Sequence, residues 1–107
     1  MKRRTLALAL LTSITATGAV AEMIVVNGRY VVPKDTVRGY FYRQSDQRMV
    51  FDVRWSDWST QYRCDDEYDQ DRILAASLNL NLKINSATDV DFEDFLKAEG
   101  FTGCAKF

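Results

Sequence analysis

The sequence predicts an α+β fold: a small antiparallel sheet of about four or five strands in two hairpins, with a C-terminal helix packed on it and one disulfide. Three observations carry this. Arg48–Trp55 alternates apolar and polar residues behind a polar turn, and Ser77–Asn85 alternates again. The segment from Thr88 to Phe101 then carries the start and stop signals of a helix.

The elements follow in chain order. Residues 1–21, MKRRTLALALLTSITATGAVA, read as a cleavable signal peptide. Lys2, Arg3 and Arg4 make a positive start, Leu6–Leu11 with Ile14 form a short apolar stretch, and Ala19-Val20-Ala21 supplies a small-x-small cleavage pattern. The apolar stretch is too short and too interrupted for a permanent membrane span. Arg3-Arg4 also fits a twin-arginine leader, but the rest of that pattern is missing and ordinary secretion is the expectation. What remains is one globular domain, residues 22–107, periplasmic or secreted in the bacterial manner and with no stable membrane insertion.

Met23–Val32 places β-branched residues on either side of Asn27-Gly28. That dipeptide suits a type I′ hairpin turn, in which both central residues need positive φ. Gly39–Arg43 is expected to pair antiparallel with Arg48–Trp55 across the turn Gln44–Gln47, with Met49, Phe51, Val53 and Trp55 on one face. The polar, acidic stretch Cys64–Asp71 follows, and residues 71–76 read equally as a short helix or an extension of the next strand. In Ser77–Asn85, Leu78, Leu80, Leu82 and Ile84 alternate with polar residues, and this period of two outweighs the low strand propensity of asparagine. For the last helix, Thr88 or Asp89 serves as N-cap, Asp91, Glu93 and Asp94 favour the positive end of the dipole, and Gly100-Phe101 suits a Schellman ending.

Cys64 and Cys104 are the two cysteines of a chain expected in an oxidising compartment, which implies one disulfide. The whole chain has 14 basic and 15 acidic residues; three of the basic ones lie in the signal, so residues 22–107 hold 11 against 15, a net charge of −4. This balance disfavours nucleic acid and anionic membrane as partners.

The chemistry available is limited. The chain has no His, so no Ser-His or Cys-His pairing and no His general base can be built. Two thiols alone cannot complete a zinc site, and no phosphate loop, dinucleotide fingerprint or nucleophile elbow is present. Asp65, Glu67, Asp69 and Asp71 occupy alternate positions as in a calcium loop. The glycine and the final bidentate acid of an EF-hand are replaced by Gln70 and Ala76, so at most a looser calcium site is expected. Arg38, Arg43, Arg48, Arg54 and Arg63 interleave with aromatic residues, the pattern of sheet arginines lying over rings as cation–π pairs within the protein.

Trp55–Ser59 resembles the Trp-Ser-x-Trp-Ser motif of class I cytokine receptors and thrombospondin type 1 repeats. The chain lacks the cysteine framework of the second, and its terminal helix does not belong to the β-sandwich of the first. The resemblance therefore ends with the motif and assigns no family.

The expected function is a non-catalytic binding or accessory domain of the cell envelope, without a cofactor, that recognises a protein or a glycan. Its expected interaction surface is Arg54, Trp58, Tyr62 and Arg63, where aromatic and arginine anchors concentrate. An inhibitor of a secreted hydrolase, presenting the acidic segment Asp65–Asp71 beside Cys64, is the alternative; a small carboxylate-based hydrolase is the third reading.

Overall fold

The computed structural model describes residues 22–107, so the expected signal peptide and its cleavage site lie outside the described residues. Strands β1 (Met23–Val26) and β2 (Tyr30–Pro33) form the first hairpin. Asn27 and Gly28 have φ of +53° and +69°, and the Val26 carbonyl accepts from the Arg29 N–H at 3.1 Å. This is the geometry expected of a type I′ turn. Arg29 closes that turn without a partner across the hairpin, and pairing resumes with Val26 opposite Tyr30.

Strands β3 (Arg38–Arg43) and β4 (Arg48–Trp55) form the second hairpin over the expected segments, with Arg38 opposite Arg54 and Arg43 opposite Met49, one residue further along than a turn of Gln44–Gln47 alone would set. Strand β5 (Trp58–Glu67) falls where the sequence pattern assigned no element, and it makes a third hairpin with β4. The tail returns as β7 (Ala105–Lys106), giving the order β3-β4-β5-β7. Because β4 is central, it is more buried than a half-buried strand. Met49, Phe51, Val53 and Trp55 line the core, and Val50 and Asp52 on the other face are covered as well. The cross-strand neighbours Tyr42 and Arg63 flank Val50, while Tyr40 and Gln61 flank Asp52.

The principal correction concerns Ser77–Asn85, which is not a strand. It belongs to helix α1 (Gln70–Ser86), which also absorbs the undecided residues 71–76. Asp69 is the N-cap, its Oδ1 accepting from the N–H groups of Asp71 and Arg72 at 3.1 and 3.4 Å. The alternation that imitates a strand is two helical rows interleaved. Ile73, Ala76, Leu80 and Ile84 face the core, whereas Leu74, Leu78 and Leu82 face solvent. A helix with leucines on both sides loses its amphipathic signature and acquires a false period of two.

The last helix, α2 (Phe92–Ala98), is shorter than expected. Its cap is Asp91 rather than Thr88 or Asp89, with the Asp94 N–H donating to Asp91 Oδ1 at 3.0 Å. Asp89–Val90 instead forms β6, which runs parallel to β1 and completes a second, mixed sheet in the order β2-β1-β6. The Schellman ending is present. Gly100 has φ +87°, its N–H donates to the Lys97 carbonyl and the Phe101 N–H to the Leu96 carbonyl, and Phe101 is buried.

Both sheets and both helices share one core. Phe51 lies at its centre, with ring centroids of Phe41, Phe92, Phe95 and Tyr62 at 4.6, 5.8, 6.1 and 6.3 Å. Gly39 leaves room for Leu80 of α1 against the sheet: a Cβ there would lie 2.5 Å from Leu80 and 2.7 Å from Phe51.

Cys64 and Cys104 are bonded, closing a loop with a sequence separation of 40. A polar cluster holds the same tail. Asp66 accepts from the Thr102 N–H at 2.7 Å and hydroxyl at 3.1 Å, and from Arg72 Nη1 at 3.0 Å. Arg72 also donates to the Gly100 carbonyl and covers the Phe101 ring at 4.2 Å. Burial alone would raise the Asp66 carboxyl; the donors of Thr102 and Arg72 outweigh it and hold the group below its ordinary value. A carboxylate with a depressed folded pKa contributes stability above its unfolded pKa and loses it as pH falls through the folded one. Asp66→Asn should therefore lower stability at pH 7 by about 2 kcal/mol. In denaturant titrations at a series of pH values, the gap to wild type should close below pH ~4. A gap independent of pH would refute the charge-based account.

Candidate binding cleft

The β4–β5 turn is where the tryptophan motif sits. Trp55 and Trp58 are directly opposed across the two-residue turn Ser56-Asp57, with Ser56 at φ +53°. Both rings project toward the core side, but Trp55 is buried at 4 % exposure while Trp58, at the end of the sheet, is 60 % exposed. Tyr30 from the first hairpin bridges them, its ring centroid 5.5 Å from Trp55 and 5.9 Å from Trp58. Phe92 stacks behind Trp55 at 5.9 Å. The row of rings thus runs from the core to the surface and leaves Trp58 as its exposed end.

Beside this row lies a cleft of about 360 Å³. Tyr30, Trp55, Trp58 and Tyr62 supply its aromatic wall. Its polar lining comes from three places: Asn27 and Arg29 in the first turn, Ser59 and Thr60 on β5 with Lys106 on β7, and Asp91 and Glu93 at the start of α2. Asn27 fixes the mutual position of two of these, because its Oδ1 accepts from the Phe92 N–H at 3.0 Å. Burial pushes the Tyr62 phenol up; the Asn27 side chain opposes the rise, and Glu93 and Asp91 add to it. The Trp55 Nε1–H, at the cleft wall, is buried and has no partner among the described residues. Such a donor is destabilising by roughly 1–3 kcal/mol when unmatched.

The four residues expected as one surface do not share a face. Trp58 and Tyr62 line the cleft, Tyr62 as a buried side chain. Arg54 and Arg63 lie on the opposite side of the sheet, in register with Ser59 and Val50. There Arg54 binds Asp52 Oδ2 at 3.3 Å and stands over Tyr40, and Arg63 stands over Phe107 at 5.1 Å. The hydrogen bond to Asp52 raises the Arg54 guanidinium further above its ordinary range. Arg43 covers Tyr68 at 5.3 Å, so three of the sheet arginines do form internal cation–π pairs.

The acidic segment is not a free loop. Asp65 and Glu67 end β5, Asp69 and Asp71 begin α1, and Asp65 pairs with Arg48 at 3.5 Å. Among the described residues no three His, Cys, Asp or Glu side chains converge as a metal's ligand set would require. Nor is any helix there long and apolar enough to cross a membrane.

Fold and cleft together define a small single-disulfide α+β domain with an aromatic-walled recess at one end of its larger sheet. Compared with protein families, with curated proteins and with solved structures, the chain matches none. The sequence pattern pointed to Trp58 and Tyr62 but not to Asn27, Arg29, Tyr30, Asp91, Glu93 or Lys106. Only the folding of the first hairpin and α2 onto β5 brings these together. The one local trace of them is the Asn27-Gly28 turn, which sets Tyr30 just beyond it.

Proposed function

We propose that this protein is an exported, non-catalytic binding domain of the cell envelope, and that the cleft beside Trp58 takes a saccharide. Exposed Trp58, braced by Tyr30, is the observation that carries the reading. A held aromatic face offers a stacking surface with little side-chain freedom left to lose. The lining matches a neutral polyhydroxyl ligand. Arg29 and Lys106 donate, Asp91 and Glu93 accept, and Asn27 and Thr60 do both. Their formal charges cancel, so neither a strongly anionic nor a strongly cationic ligand is favoured. The disulfide fits export.

The test is binding of the purified protein to a panel of envelope and soluble polysaccharides, repeated with Trp58→Ala. Binding should weaken at least ~30-fold, about 2 kcal/mol, while the melting temperature stays within about 2 °C, because Trp58 is largely exposed. Equal binding by the variant would remove Trp58 from the site. Capture of an envelope protein with no affinity for any glycan would replace the saccharide by a protein partner. Release of shortened sugars would make the domain a hydrolase.

A further inference from the structure

The side of the larger sheet turned away from the cleft carries Arg54 and Arg63. Strand β3 adds Arg38, directly opposite Arg54, with Tyr40 and Tyr42 opposite Asp52 and Val50. Val50 is fully buried yet stands apart from the common core, so the neighbouring long side chains themselves cover this side. Tyr40, Tyr42 and Phe107 are exposed. Arg54 stands over Tyr40 at 6.0 Å and Arg63 over Phe107 at 5.1 Å. A guanidinium laid on a ring keeps its planar fork of N–H donors at the rim, open to a ligand. Arg38 and Arg54 form a cross-strand pair of like charges, which is destabilising. Only Arg54 is compensated, by Asp52 at 3.3 Å; Arg38 and Arg63 make no ion pair among the described residues.

We propose that this face docks a linear acidic polysaccharide, with uronate carboxylates on Arg38, Arg54 and Arg63 and sugar rings across Tyr40 and Tyr42. Charge complementarity carries the assignment. Residues 22–107 hold 11 basic against 15 acidic side chains, yet here three arginines meet one carboxylate. That carboxylate, Asp52, is buried, and its Oδ2 already accepts from Arg54 and from Gln61 at 3.2 Å. One row further along, Arg48 is answered by Asp65. A domain whose net charge repels polyanions thus gathers uncompensated cations on one side of one sheet. Arginine forks match a planar carboxylate with two parallel hydrogen bonds. The hydroxyls of Tyr40 and Tyr42 and the amide of Gln61 suit a ligand that is also rich in hydroxyls, as an acidic peptide is not. The sheet itself separates this face from the cleft, so the two surfaces act independently, whatever the cleft takes.

Titration calorimetry with polygalacturonate oligomers, using protein expressed from the full sequence, tests this at about 20 mM and about 200 mM salt. Binding is expected at the lower salt and should weaken at least ~10-fold at the higher. The methyl-esterified polymer keeps the rings, loses the carboxylate charge and should not bind. Arg38→Gln with Arg63→Gln should weaken binding at least ~10-fold, with the melting temperature within about 2 °C of wild type, since neither arginine has an ion pair to lose. Lys83→Gln with Lys97→Gln removes the same charge from the two helices, and Trp58→Ala alters the cleft; both should bind as wild type does. Absence of binding at the lower salt would overturn the proposal, as would equal binding of the ester. So would a loss in Trp58→Ala or the lysine pair in place of the arginine pair, or tighter binding of polyglutamate or single-stranded DNA of equal charge.

Discussion

Replacing both cysteines, Cys64→Ala with Cys104→Ala, should lower the unfolding free energy by about 4 kcal/mol and the melting temperature by about 15–30 °C. The figure follows from loop closure. A cross-link spanning a sequence separation of 40 removes conformations from the unfolded chain, and for that length the entropic term is about 4 kcal/mol. The native side changes less. Without the bridge the tail is still held by Asp66 to Thr102, by Arg72 to Gly100, by the Asp65 N–H donating to the Thr102 carbonyl at 2.8 Å, and by the pairing of β7 with β5. The folded structure should therefore survive, with its near-ultraviolet dichroism intact at low temperature, while the denaturant midpoint falls. Cys64 is fully buried, so alanine is the substitution that leaves no new polar group behind. A loss below about 1 kcal/mol would show that the unfolded chain keeps its tail near β5 without the bond.

Legibility from sequence depended on whether a signal was local. The turn at Asn27-Gly28, the antiparallel pairing of β3 with β4 and the Schellman ending were all legible, because each rests on backbone demands of one or two residues or on alternation within one element. Ser77–Asn85 was misread for a physical reason. Periodicity reports burial only if a single face is apolar, and α1 carries Leu80 and Ile84 inward and Leu78 and Leu82 outward. The capping signal that favoured a helix, Asp69 ahead of Ile73, lay in the preceding acidic stretch, where its carboxylates also suggested a metal loop. Strand β5 was missed because its alternation mixes Thr60, Tyr62 and Cys64 with charged neighbours, and its burial depends on β4 beside it. The cleft was legible at Trp58 and Tyr62. Arg54 and Arg63 are near it in sequence but, through the period of two along a strand, belong to the other face.

Phe51→Ala should destabilise the domain by about 4 kcal/mol, and Phe51→Leu by about 1.5 kcal/mol or less. Phe51 is fully buried where β4 crosses beneath both helices, and it touches the rings of Phe41, Tyr62, Phe92 and Phe95. Those rings come from three different elements, β3, β5 and α2, so the cavity cannot close by moving one side chain. Gly39, already close to Leu80 and Phe51, leaves β3 and α1 no nearer approach of their own. The effect should extend to the cleft, since Phe92 packs both on Phe51 and on Trp55. Saccharide affinity in Phe51→Ala should fall before the fold is lost, whereas Trp58→Ala lowers affinity alone. Combined with the cysteine replacements the two losses should add, because one acts on native packing and the other on the unfolded chain. About 8 kcal/mol is comparable to the whole stability of most small domains, so the triple variant should be largely unfolded at 25 °C by circular dichroism. A triple variant that stays folded would mean that Phe51 and the bridge restrain the same step of unfolding rather than independent ones.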